Sequence, residues 1–107
     1  MMKNIPFSQV VVLKDLVSYQ DGQVASRTLA QNDAVSVTLF AFDKNEEISA
    51  HKSGGDAMVL CLDGEGRVTI DEDTFDLKEG DSIVMPAGHP HAVFAKERFK
   101  MLLVVVF

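Results

Sequence analysis

Gly80-Asp81-Ser82-Ile83-Val84-Met85-Pro86-Ala87-Gly88-His89-Pro90-His91 reads as a short strand with a turn at each end. Gly80 follows Lys78-Glu79 and permits the tight turn into the strand. Pro86 ends the strand, because no ladder hydrogen bond is needed there. Gly88 supplies a positive-φ bend, and the chain re-enters a sheet at His91. Alternate residues of a strand share a face, so His89 and His91 are expected to point the same way.

The same rhythm continues on both sides. Apolar or alternating runs fall at 24–30, 34–42, 48–51, 57–62, 67–70, 74–77, 82–85, 91–95 and 99–107. Between them lie turn-forming groups, such as Asn32-Asp33, Asp43–Glu47, Asp63–Gly66, Asp71–Asp73 and Lys96–Arg98. The pattern predicts about nine strands with turns every 8–12 residues, the signature of an all-β sandwich or barrel. No segment after residue 20 keeps a 3.6-residue apolar period over a helix length. In the hairpin of 67–78, Val68, Ile70, Phe75 and Leu77 are expected inside, with Arg67, Thr69, Thr74 and Asp76 in water. The runs 57–62 and 101–107 have no polar face. They are expected to be covered on both sides, by the opposite sheet and by a partner subunit. Before residue 20, Val10–Leu13 could form a strand and Lys14–Tyr19 a helical turn.

Length and charge bound the function classes. The chain has 107 residues, the size of one domain. Its 10 Lys+Arg against 16 Asp+Glu leave a net charge of −6. A nucleic-acid backbone needs a basic stripe, and the longest cationic feature, Lys96-Glu97-Arg98-Phe99-Lys100, is broken by a carboxylate. Neither nucleic acid nor an anionic membrane surface is therefore expected as a partner. No apolar run approaches the roughly 18–20 residues that span a bilayer. The N-terminus shows no signal-peptide pattern. The lone Cys61 cannot form an internal disulfide, and a reducing cytoplasm is expected. Phosphate loops, dinucleotide fingerprints, HExxH, CxxC and GxSxG are all absent. Three histidines remain for chemistry, His51, His89 and His91, each at a strand–loop junction.

Gly80, Pro86, Gly88 and His91 resemble the second motif of the cupin superfamily. That motif runs Gly, five residues, Pro, one residue, Gly, two residues, His, three residues, Asn; the last position is Ala95 here. The first cupin motif runs Gly, five residues, His-x-His, three or four residues, Glu, six residues, Gly. It is matched at His51 and Gly64, while Asn45, Ser53 and Ala57 stand at its opening Gly, second His and Glu positions. The motifs occupy 45–64 and 80–95 of a single domain, 1–107, with an N-terminal arm over about 1–22. The resemblance implies an all-β jelly roll, or double-stranded β-helix barrel, with the matched histidines pointing into its mouth.

The resemblance also implies a metal shell of three His and one Glu, of which His51 and His91 are kept. His89 is the natural third candidate. Imidazole suits a divalent transition metal such as Zn, Fe, Ni or Cu, and Mn joins this set of candidates. By parity, Ala57, Val59, Cys61 and Val93 line the pocket floor, with Met85 or a Phe from the run 35–42 as a wall and His51, Ser53, His89 and His91 at the mouth. Three functions are compatible with this set. One is binding of a small organic molecule without a robust metal site. Another is a metal-dependent enzyme, such as a dioxygenase, isomerase or decarboxylase. The third is a structural protein with a filled barrel. The missing Glu and second His favour binding, and with Ala57 in the carboxylate position only histidine could act as general base. The apolar C-terminal run predicts a homodimer.

Overall fold

In the computed structural model, which describes all residues from Met1 to Phe107, seven strands follow one 3-10 turn at Leu13–Leu16. The strands are β1 (Val24–Gln31), β2 (Val35–Phe42), β3 (Glu47–His51), β4 (Asp56–Ile70), β5 (Asp73–Lys78), β6 (Ser82–Met85) and β7 (His91–Val106). Every pairing is antiparallel. β4 and β7 have 15 and 16 residues, long enough to run through two layers. One layer has the order β1-β2-β7-β4-β6, built on the C-terminal half of β7 and the N-terminal half of β4. The other has the order β3-β7-β4-β5, built on the remaining halves. Two antiparallel layers sharing their central strands make the jelly-roll barrel.

Seven strands replace the expected nine because two expected turns are kinks. Runs 57–62 and 67–70 are one strand, as are 91–95 and 99–107. The β4–β7 register slips between Cys61 and Asp63 and again between Gly64 and Gly66. Such bulges bend a strand without ending it. Gly64 has a φ of 74°, and a Cβ on it would lie 1.6 Å from the Arg98 carbonyl oxygen. The Gly66 backbone abuts the Phe99 ring, which is fully buried.

Alternation along the strands divides the apolar residues between two cores. Inside the barrel lie Phe42, Ala57, Val59, Cys61, Val68, Met85, Val93, Phe99 and Met101. On the outer face of the longer layer, Leu39, Ala41, Leu62 and Leu102 meet Ile5, Leu13, Leu16 and Val17 of the N-terminal arm. The doubly apolar runs are thus partly covered by the chain's own arm. The arm is fastened by Tyr19, whose hydroxyl donates to Asp63 Oδ2 at 2.6 Å. Arg98 and Lys100 lie 5.2 and 4.8 Å from the Tyr19 ring centre, and Lys100 Nζ donates to the Lys14 carbonyl at 2.6 Å. No strand forms at 10–13, and the single turn of helix falls at Leu13–Leu16 rather than 14–19. Phe75 faces Val68 across the hairpin, yet stays 41% exposed because β5 is an edge strand with little above it.

Candidate functional site

The barrel mouth is assembled where β3 meets the start of β7. His51 ends β3 and stands directly opposite His91 in the β3–β7 ladder. Their imidazole rings are 4.5 Å apart, centre to centre, and cross at 73°, edge to face. Residues 40 positions apart meet because the ladder crosses the shared strand β7. The turn after β6 holds the rim in place. Gly88 N–H donates to the Ser53 carbonyl at 3.0 Å, and Ala87 N–H donates to Asp56 Oδ1 at 2.9 Å. The Asp56 carboxylate is therefore spent on the rim's exterior.

The two rings differ in environment. His51 is exposed, and its Nδ1 lies 3.0 Å from the Ser49 carbonyl. A carbonyl only accepts, so this nitrogen carries the hydrogen and Nε2 of the neutral ring is a free acceptor. His91 is 3% exposed, and its Nδ1 has no hydrogen-bond partner. Burial holds the His91 pKa below the usual imidazole value, with a second push from the neighbouring His51 and a weaker opposing pull from the His89 backbone. His91 is therefore a neutral ring near pH 7.

Beneath the pair lies a cavity of about 140 Å³. His51, Ser53, Ala57, Met85, His91 and Val93 line it, together with Phe40, Ile48, Met101, Leu103 and Val105. Val59 and Cys61, expected on the floor, sit deeper in the inner core and do not reach it. Burial pushes the Cys61 thiol up to about 11. His89 is turned away from the mouth. It is half-exposed, and its Nδ1 meets Asp71 Oδ2 at 2.8 Å. His89 precedes the first paired residue of β7, so strand alternation does not reach it. Met101, Leu103 and Val105 carry no signal in the sequence, since the run 101–107 is apolar on both faces and shows no parity.

Nowhere do three or more His, Cys, Asp or Glu side chains come together in a way that could hold a metal ion. His51 and His91 are the only two donors at the mouth, one short of the three protein ligands of a typical catalytic site. The donor set does not fit a resident transition metal.

The barrel and its histidine pair define a class that comparison with known proteins makes plain. The family model for the cupin domain matches residues 38–107. This chain belongs to the cupin family. It is similar to a conserved protein of unknown function from Streptococcus pyogenes, at 48% identity and a TM-score of 0.96, over 98% of this chain and 92% of that one. It is also similar to a cupin superfamily protein from Desulfitobacterium hafniense, at 36% identity and a TM-score of 0.95, over 100% and 98%. A cupin 2 conserved barrel domain protein from Leptotrichia buccalis matches at 42% identity and a TM-score of 0.86, over 88% of this chain and 46% of that chain. No curated protein matches. No helix is long and apolar enough to cross a membrane.

Proposed function

We propose that this cupin binds a small organic molecule in the cavity beneath His51 and His91, and that binding rather than catalysis is its task. The observation that carries the reading is an apolar cavity capped by two imidazoles, one of them buried with an unpartnered nitrogen. Apolar walls with a few convergent polar groups are the usual form of a small-molecule site. No carboxylate lines the cavity, so general acid–base work would fall to the histidines alone.

The test is thermal unfolding of the parent, His51→Ala and His91→Ala with Zn²⁺, Ni²⁺ and a set of small aromatic and aliphatic fragments. The reading expects fragments to raise the parent Tm and metals to leave it unchanged. A stoichiometric metal that raises the parent Tm, with the response lost in both variants, would instead establish the metal-dependent alternative. If neither fragments nor metals shift the parent, the barrel is simply filled.

A second copy of the chain is the macromolecular partner in this proposal. Met58, Val84, Val106 and Phe107, at 40%, 52%, 57% and 59% exposure, leave apolar area at one end of the longer layer. Phe7, Val10 and Val12 of the arm are exposed as well.

A further inference from the structure

The cavity states the size and polarity of what it would accept. Apolar cavities of about 150 Å³ hold a benzene ring, and this one measures about 140 Å³. Sites for larger ligands run to roughly 300–1,000 Å³, so a nucleotide or sugar does not fit without rearrangement. Eight of the eleven lining residues are hydrophobic, and none is Lys or Arg. A carboxylate or phosphate placed there would lose its water and gain no counter-charge, which is costly.

The polar end is equally selective. The Ser49 carbonyl fixes the hydrogen of His51 on Nδ1, and Nε2 is left to accept. Ser53 Oγ accepts from Gly55 N–H at 3.2 Å, which leaves the Ser53 hydroxyl hydrogen free to donate. A group that both donates to an imidazole nitrogen and accepts from a serine hydroxyl matches this mouth. A ketone cannot donate and a hydrocarbon can do neither; a hydroxyl does both.

We infer that the occupant is an uncharged molecule about the size of benzene that carries a hydroxyl group, its apolar body in the cavity and its O–H at the imidazole pair. The inference rests on the reading of the cavity as a binding site. Phenol is the simplest molecule of this class, toluene its counterpart without the donor, and benzoate its anionic neighbour.

Titrations of the three probes at pH 8 can be followed by the methyl resonances of Met85 and Met101, which line the cavity. Phenol is expected to saturate and to bind about fivefold or more tightly than toluene, the factor that one hydrogen bond of ordinary net strength supplies. In His51→Leu, at an exposed position that tolerates substitution, the order is expected to reverse. Toluene or benzoate binding the parent as well as phenol overturns the inference and leaves the cavity a binding site. Phenol keeping its full advantage in His51→Leu overturns the assignment of its hydroxyl to the pair. If none of the three shifts the methionine methyls, the cavity is not a binding site, and the inference falls with it.

Discussion

His91 has its ring inside the protein and its pKa held down, so it couples stability to pH. The unfolded chain takes up this proton first as pH falls. The contribution of a neutral His91 is therefore complete above about pH 6.5, the ordinary imidazole value, and is lost as pH falls through the lower folded value. Urea midpoints at pH 8 and pH 5 check this. The parent should lose more stability between the two than His91→Leu, which has no proton to take up and no buried nitrogen to satisfy. Cys61 shows the opposite use of burial. Its Sγ lies 3.6 and 3.7 Å from the Asp63 and Gly64 carbonyls, and its raised pKa keeps it a thiol. Only the thiolate is a nucleophile. A thiol-specific disulfide reagent at pH 8 should leave the folded protein unlabelled and add one equivalent in guanidinium. Fast labelling of the folded chain would contradict this burial.

The elements carry their strain at the kinks of β4. Gly64→Ala would drive a methyl into the Arg98 carbonyl at a positive φ. A loss of about 3 kcal/mol or more is expected, the range of severe backbone conflicts. Gly80 also has a positive φ but has open space beside it. Gly80→Ala should cost only about 1–2 kcal/mol, the conformational term alone; equal losses in the two variants would contradict the steric account. The arm depends on one bond in particular. Tyr19→Phe removes a hydrogen bond to a carboxylate, and bonds to charged groups contribute about 1.5–3 kcal/mol. The Tm should fall by at least about 5 °C. Burial first, and then the Asp63 bond, raise the Tyr19 pKa. Its contribution is therefore whole below about pH 10, the ordinary value, and fades as pH rises above it; the variant should lack this alkaline loss. These elements also mark where the sequence is readable. Gly80, Pro86, Gly88 and His91 announce the barrel because each answers a backbone requirement at a fixed spacing. Asp63–Gly66 and Lys96–Arg98 mislead, since a bulge in a continuous strand uses the same small and polar residues as a turn. The cavity was half visible: alternation finds Ala57, Met85 and Val93, but Ile48 and Leu103 reach it only through pairings that no local pattern encodes.

At the scale of the whole molecule, apolar area remains that the chain does not cover itself. Sedimentation equilibrium at micromolar concentration should give about twice the chain mass of 11.7 kDa. Met58→Lys combined with Val84→Lys, a change confined to exposed side chains, should return the monomer with the fold intact by circular dichroism. A parent that is monomeric at these concentrations would refute the pairing. The distribution of strand length across the barrel has a kinetic consequence for the mouth. β4 and β7 pair along nearly their whole lengths, whereas His51 closes a five-residue edge strand whose neighbours in sequence are mostly exposed. Edge segments of this kind open locally at a small fraction of the global unfolding free energy. Residues 47–51 are therefore expected to exchange with solvent while the central ladder stays closed. Amide exchange should report two populations: fast at 47–51, and slow at 57–61 and 101–105. Filling the cavity should slow the first group and leave the second unchanged. On the binding reading proposed above, stitching β3 to its neighbour should lengthen the residence time of a molecule held beneath His51.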